Sequence, residues 1–153
     1  MLRLFNKSIS DYFSKEENAQ IVQAIKNAEQ KTSGEVRIYI EKKCKMVNPV
    51  HRAKEIFFHL AMDKTNDRNA VLIYLAMKDR QLAIYGDEGI HQKVGQEFWQ
   101  NEVKAILAAF NSSNYTEGLV KIIHDIGDAL LFHFPYDAQT DKNELPDEII
   151  FGK

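Results

Sequence analysis

The feature that most constrains the fold is an uninterrupted apolar run, Ala-Val-Leu-Ile-Tyr-Leu-Ala, at residues 70–76. A strand with one face in water alternates apolar and polar side chains, whereas a continuous apolar run of this length is typical of a strand covered on both faces. Residues 81–86 predict a second strand, and the connector at 77–80 is so short that it indicates an antiparallel hairpin. The chain therefore has to place helices on both sides of a sheet.

The remaining elements are predicted from periodicity and caps. Residues 35–41 alternate apolar and polar side chains, which is typical of a strand. Ser14 and Glu17 form a capping box, and four helices are predicted, at residues 15–32, 49–62, 88–109 and 115–133. This order of elements predicts a three-layer α/β/α sandwich with a small mixed β-sheet. The sheet is Rossmann-like, but the sequence contains neither a G-x-G-x-x-G nor a P-loop nucleotide-binding motif.

The length of 153 residues fits one domain. We expect an N-terminal lead-in at 1–13, an α/β domain at 14–134 and an acidic, flexible C-terminal tail at 135–153. Gly95 falls inside the helix predicted at 88–109, where glycine is unfavourable, and we interpret it as a point of close packing.

Composition excludes several classes of protein. A formal net charge of −2 argues against a nucleic-acid binder. No stretch approaches the ~18 apolar residues of a membrane span, and residues 1–7 lack the apolar region of a signal peptide. The single cysteine, Cys44, cannot form an intramolecular disulfide. We therefore expect a cytoplasmic protein, and a monomer.

Polar residues from three segments are predicted to meet at one edge of the sheet. The first two strands should run parallel and the third antiparallel, so the segments before residues 35 and 70 and the segment after residue 86 are neighbours. Carboxylates from separate loops suit a hard cation such as Ca²⁺ or Mg²⁺. The candidate metal ligands are Asp67, Asp87, Glu88 and Glu35, and the candidate anion-binding residues are Arg68 and Lys64.

Two interpretations of this edge stay open. A helix is predicted to begin at residue 88, and its free N–H groups suit phosphate; a cation beside a phosphate site is typical of phosphoester chemistry. Alternatively, Asp87 or Glu88 only caps that helix and Asp67 only shapes a turn.

Other candidate sites have weaker signals. His51, Glu55 and His59 share one side of a predicted helix, at a spacing that can bind zinc. Because the sequence has no H-E-x-x-H motif and no obvious further ligand, we interpret them as a solvated helix face. Cys44 lies among lysines without a positioned histidine, so we interpret it as an incidental loop residue. Trp99 is interpreted as a core residue.

Four stretches together resemble the TPM domain (TLP18.3/Psb32/MOLO-1) family: KTSGEVRIYI, KTNDRNAVLIYLAMKDRQLAIYGDEGI, FW at 98–99 and YTEGL at 115–119. The resemblance covers residues 14–134. It implies an α/β/α sandwich, divalent-cation binding, acid phosphatase activity and accessory roles in handling membrane-protein complexes. The sequence departs from many relatives because 11–14 (Asp-Tyr-Phe-Ser) replaces an Asp-rich lead-in and Ala70 stands where glycine is usual.

These observations lead to two hypotheses of function. In the first, the chain is a divalent-cation-binding TPM-domain protein with weak metal-dependent phosphomonoesterase activity. In the second, it is a non-enzymatic interaction module that engages a protein partner, as an accessory to membrane-protein complexes. The sequence identifies neither a substrate nor a partner.

Overall fold

The computed structural model describes residues 12–111, 115–136 and 148–152. The helices are α1 (Lys15–Glu29), α2 (Pro49–His59), α3 (Glu88–Val94), α4 (Gln96–Asn111) and α5 (Tyr115–His133), and the strands are β1 (Glu35–Glu41), β2 (Ala70–Ala76), β3 (Gln81–Gly86) and β4 (Ile149–Phe151). The three strands predicted before residue 90 are confirmed with their bounds. So is the capping box of α1, in which Ser14 Oγ accepts from the Glu17 amide at 3.0 Å.

The four strands form one mixed sheet in the order β3-β2-β1-β4. β1 and β2 pair in parallel, with Glu35 opposite Ala70 at one end and Glu41 opposite Ala76 at the other. β2 and β3 pair antiparallel through the predicted hairpin. The three-layer α/β/α sandwich with a small mixed sheet is thereby confirmed.

The two faces of the sheet bury separate cores. Among the described residues, α2 and the 3₁₀ turn at Met62–Lys64 cover one face, where Phe57 packs against Leu72 and Tyr74. The other four helices cover the opposite face, and the buried side chains of that core come from every strand and include Val36, Ile38, Ile73, Ile84, Ile21, Trp99 and Ile126. β2 is buried at every position, as its apolar sequence predicts. Among the described residues, no helix combines the length and apolar content needed to cross a membrane.

The end of the chain differs from the prediction of a flexible tail. Ile149–Phe151 forms β4, which pairs in parallel with β1, and the Gly152 amide donates to the Ile40 carbonyl at 2.6 Å. The β-branched and aromatic side chains of this segment favour a strand. Its pairing covers an edge of β1 that would otherwise be open. The prediction was therefore wrong for these three residues, while 137–147 lie outside the described part of the chain.

Gly95 also differs from the prediction. The helix expected at 88–109 breaks there into α3 and α4, and Gly95 has φ = 81°. A Cβ added at Gly95 would meet no atom within 4 Å, so close packing is not the reason for the glycine. Its reason is the positive φ, which glycine adopts without a steric penalty and which ends α3.

A pair of carboxyl groups links α4 and α5. Burial raises the pKa of Glu102 to about 7, and its hydrogen bond with Asp125 adds to the rise. Lys121 forms an ion pair with Asp125 at 3.2 Å. The folded protein therefore holds the Glu102 proton more tightly than the unfolded chain does.

This arrangement predicts a specific pH dependence of stability. Glu102 lowers stability progressively as pH rises from about 4.5 to about 7, because the folded-state pKa is the higher of the two. Glu102→Gln is expected to stabilise the protein by roughly 1 kcal/mol at pH 8, after allowance for solvent screening, and to change little at pH 4. Urea denaturation at both pH values measures this, with exposed Glu97→Gln as control. Equal effects at pH 4 and pH 8 would contradict the assignment.

Candidate functional site

The predicted edge is assembled as the topology requires. The Asp87 amide donates to the Ala70 carbonyl at 2.9 Å, and the Glu35 amide donates to the Asn69 carbonyl at 3.4 Å. The beginning of β1, the beginning of β2 and the end of β3 are therefore neighbours. We name residues 32–35, 63–69 and 86–89 the loop edge.

Two glycines allow the loop edge to close. A Cβ on Gly86 would lie 2.3 Å from the Trp99 ring, and a Cβ on Gly89 would lie 2.1 Å from the Asp67 carbonyl oxygen. The Gly89 amide also donates to the Arg68 carbonyl at 2.8 Å. Gly89 is thus needed for the approach of the 65–68 backbone to the first turn of α3.

The Asp87 carboxylate has two structural roles. It is the N-cap of α3, with Oδ1 accepting from the Glu88 amide at 2.8 Å, and it is only 1% exposed. Its two oxygens also accept from the Arg68 guanidinium, at 2.6 and 2.8 Å. Arg68 reaches Glu88 as well, at 3.2 Å. The three candidate residues are therefore brought together as an ion-pair cluster.

This cluster changes the chemistry expected of its members. The hydrogen bonds to Asp87 raise the pKa of Arg68 above its ordinary value, and its single positive charge is shared between the carboxylates of Asp87 and Glu88. A cation on Asp87 would have to displace Arg68, and an anion on Arg68 would have to displace Asp87. The capping carboxylate also already lies at the N-terminus of α3, the place predicted for a phosphate.

The remaining predicted residues lie apart from this cluster. Asp67 is exposed, and Lys64 is 75% exposed with Asp63 as its ion-pair partner at 3.6 Å. Glu35 is 2% exposed at the start of β1. In the described ranges, no three His, Cys, Asp and Glu side chains lie close enough together to hold a metal ion.

Asn69 is a residue that the sequence did not single out as a ligand. It is 1% exposed, and its Nδ2 donates to Ser33 Oγ at 3.1 Å. Its Oδ1 is buried and accepts no hydrogen bond from the described residues. Asn69 and Glu35 are joined at the loop edge through their backbones, because the Glu35 amide donates to the Asn69 carbonyl. Amide and carboxylate oxygens are both ligands that suit a hard cation. The signal available in the sequence was a polar residue directly before a wholly apolar strand.

A groove of about 830 Å³ begins at the loop edge and follows β3. Its floor is residues 82–86, and its walls come from α2 and α4. We name it the β3 groove. Its lining includes Val50, Lys54, Phe58, Arg68, Trp99 and Lys104.

The opposite end of the sheet holds a buried polar cluster that the sequence did not indicate. Glu41, 1% exposed, accepts from Arg52 Nε at 2.9 Å and Nη2 at 3.0 Å, and from the Tyr74 hydroxyl. Burial alone would raise the pKa of Glu41, but the bonds from Arg52 and Tyr74 outweigh it and hold that pKa below its ordinary value. Burial, followed by the Glu41 bond, raises the pKa of Tyr74. The cluster ties α2 to β1 and β2.

The weaker candidates are located as surface or loop residues. His51, Glu55 and His59 are all exposed on α2, which agrees with a solvated helix face. Cys44 is half-buried in the loop after β1, where its amide donates to Asp79 at 2.8 Å. Trp99 is 4% exposed and belongs to the core, as predicted.

The fold and the loop edge define a small α/β/α domain of the TPM type. A family model described as TPM domain matches residues 9–129. The match spans most of the chain, and the chain belongs to the TPM domain family. The resemblance inferred from the four sequence stretches is thus confirmed.

Solved structures agree with this membership. The NMR structure of BA42 protein from the psychrophilic bacterium Bizionia argentinensis is 40% identical, with a TM-score of 0.85 over 95% of this chain and 99% of that chain. Two NMR structures of N-terminal domains, each 14% identical, share the fold. One, of cg2496 from Corynebacterium glutamicum, has a TM-score of 0.61 over 77% of this chain and 74% of that chain. The other, from P. gingivalis, has a TM-score of 0.67 over 82% of this chain and 83% of that chain. No curated protein matches the chain.

Proposed function

We propose that this chain is a divalent-cation-binding TPM domain whose cation lies at the loop edge, on Asn69 and Glu35. The observation that supports the proposal is the buried Oδ1 of Asn69, which accepts no hydrogen bond in the described ranges. An unsatisfied buried acceptor costs about 1–3 kcal/mol, and native proteins usually give such an atom a partner. A hard cation such as Ca²⁺ or Mg²⁺ is a suitable one, because it takes amide and carboxylate oxygens.

The other predicted ligands have secondary places in this proposal. Asp67 is exposed in the same loop as Asn69 and is the further ligand we assign. Asp87 and Glu88 are ligands of the cation only in a state in which Arg68 has released them, because Arg68 binds both carboxylates.

Cation binding is expected to raise the melting temperature. A ligand at about 100 times its dissociation constant stabilises the folded state by about 2.7 kcal/mol, which is roughly 5–10 °C for a domain of this size. Asn69→Ala is expected to lose this increase for both Ca²⁺ and Mg²⁺, whereas Asn101→Ala, an exposed site on α4, should keep it. An increase of the same size in Asn69→Ala would place the cation elsewhere.

A metal-dependent phosphomonoesterase activity is the second candidate. The observation that favours it is the β3 groove, which carries the cationic Lys54, Arg68 and Lys104 from the loop edge along β3. Positive side chains beside a bound cation suit a phosphate ester. The activity is expected with p-nitrophenyl phosphate, Ca²⁺ or Mg²⁺ being added in turn.

The choice of variant decides whether that assay is informative. Asp87→Ala is a poor test, because it removes the α3 cap and leaves Arg68 without its main partner. Asp67→Asn keeps the shape of an exposed side chain and removes one ligand charge. Hydrolysis lost in Asp67→Asn at an unchanged melting temperature supports the enzyme. No turnover with any common divalent ion would reject it and leave the non-enzymatic accessory module.

A further inference from the structure

The outer edge of β3 has backbone groups that pair with no other strand among the described residues. The Asp87 amide donates to Ala70, and pairing groups alternate along an antiparallel strand. Gln81, Ala83 and Tyr85 therefore pair with β2, while Leu82, Ile84 and Gly86 turn their N–H and C=O groups outward. Within residues 12–111, 115–136 and 148–152, β3 is the terminal strand on this side of the sheet.

This edge lies at the bottom of a groove. Leu82 and Ile84 are 4% and 5% exposed, so the β3 groove shields the edge from a second sheet. Natural proteins protect edges in this way against pairing with a whole neighbouring domain. A single extended chain is the occupant that fits between two helical walls and still reaches the backbone of β3.

The walls supply side-chain contacts of two kinds. Val50 and Phe58 on α2 are 45% and 43% exposed, an unusual exposure for large apolar side chains on one wall of a groove. Lys54 on α2 and Lys104 on α4 are exposed on the two walls. Neither lysine takes part in an ion pair within the described ranges.

The charge balance of the groove is positive. Its lining has three cationic side chains, Lys54, Arg68 and Lys104, against two carboxylates, Asp87 and Glu88, which leaves a surplus of one positive charge. Both carboxylates are paired with Arg68, so the cations available to a ligand are the two lysines. Complementary charge across an interface selects partners and speeds association. The fitting partner has acidic side chains next to apolar or β-branched ones.

We propose that the β3 groove binds an extended acidic segment of a protein partner, which adds as a strand to the outer edge of β3. Main-chain hydrogen bonds to Leu82, Ile84 and Gly86 supply the affinity, and Lys54 and Lys104 supply the preference for acidic segments. The binding does not require a cation at the loop edge.

Three synthetic peptides of one design test this inference, namely acetyl-EVTVEV-amide, acetyl-QVTVQV-amide and acetyl-KVTVKV-amide. Because strand addition depends chiefly on main-chain bonds, at least the acidic and neutral peptides should bind. The acidic peptide should give saturable ¹⁵N–¹H shifts and slowed hydrogen exchange at Leu82, Ile84 and Gly86. Affinity should fall from the acidic to the neutral to the basic peptide.

Two controls separate strand addition from other kinds of binding. Lys54→Glu/Lys104→Glu should weaken the acidic peptide roughly tenfold, whereas Lys78→Glu/Lys93→Glu, the same charge change at exposed sites outside the groove, should not. A version of the acidic peptide, N-methylated on the alternate residues whose N–H groups face β3, should also bind at least about tenfold more weakly. It loses the main-chain donors that pair with β3.

Each contrary result overturns a stated part of the inference. If none of the three peptides shifts the three β3 amides saturably, strand addition is rejected. If the N-methylated peptide binds equally well, the groove takes apolar ligands without pairing. If charge reversal at Lys54 and Lys104 has no effect, the preference for acidic segments is rejected.

Discussion

Glu41→Ala is expected to lower the free energy of unfolding by about 3–5 kcal/mol. Glu41 is 1% exposed and accepts from Arg52 and Tyr74, both of which would lose their shared partner. Arg52 is 12% exposed at its side chain, so its charge would remain in a largely dry position. Removing one member of a buried pair is costly for this reason.

Glu55→Ala is a matched control, because Glu55 contacts the same arginine. Glu55 is the other carboxylate that contacts Arg52, but its side chain is 56% exposed. Glu55→Ala should therefore cost less than about 1 kcal/mol. Urea denaturation of both variants at pH 7 measures the difference, and similar losses in the two would contradict the buried role of Glu41.

The same variant should change the dependence of stability on acid. The pKa of Glu41 is lower in the folded protein than in the unfolded chain. Its contribution is therefore present above the unfolded-state value of about 4.5 and is lost as pH falls through the folded-state value. The difference in free energy of unfolding between Glu41→Ala and the natural protein should therefore become smaller as pH is lowered through this range.

Trp99→Ala is expected to cost about 3–5 kcal/mol. Trp99 is 4% exposed, its ring covers Gly86, and its Nε1 donates to His91 Nδ1 at 3.0 Å. Truncation would leave a cavity between α4 and the end of β3, where the Trp99 ring packs over Gly86. Thermal and urea unfolding both measure the loss.

Phe132→Ala is the aromatic control, because Phe132 is 81% exposed at the end of α5. It should change stability by less than about 0.5 kcal/mol. A small effect of Trp99→Ala, comparable with that of Phe132→Ala, would mean that Trp99 does not hold α4 to the sheet.

The strands were predictable because their signals are local. The apolar run of β2 and the alternation in β1 fix both type and bounds, and the short connector fixes the hairpin. The break at Gly95 was missed because a glycine in a helical pattern has two readings, close packing or a positive φ, and only the backbone angle distinguishes them. β4 was missed because three apolar residues after an acidic stretch form a strand only if an edge is available to them.

The location of the site was predictable, but the ion pairs and hydrogen bonds between its side chains were not. Strand directions alone brought the segments around residues 35, 69 and 87 to one edge, as the structure has them. That Arg68 binds Asp87, instead of an external anion, depends on the left-handed backbone at Arg68 (φ = 52°) and on side-chain reach, neither of which has a sequence signature. The unsatisfied oxygen of Asn69 and the buried Glu41 cluster likewise arise from packing.

The most direct measurement is a titration of the ¹⁵N-labelled protein with Ca²⁺ and with Mg²⁺, followed through the backbone amide shifts. The proposed function predicts saturable shifts at residues 32–35 and 63–69, with smaller shifts at 86–89 because Arg68 retains Asp87. The same titration of Asn69→Ala should show none of them. No saturable shift with either ion, or shifts confined to the acidic stretch after residue 137, would contradict cation binding at the loop edge.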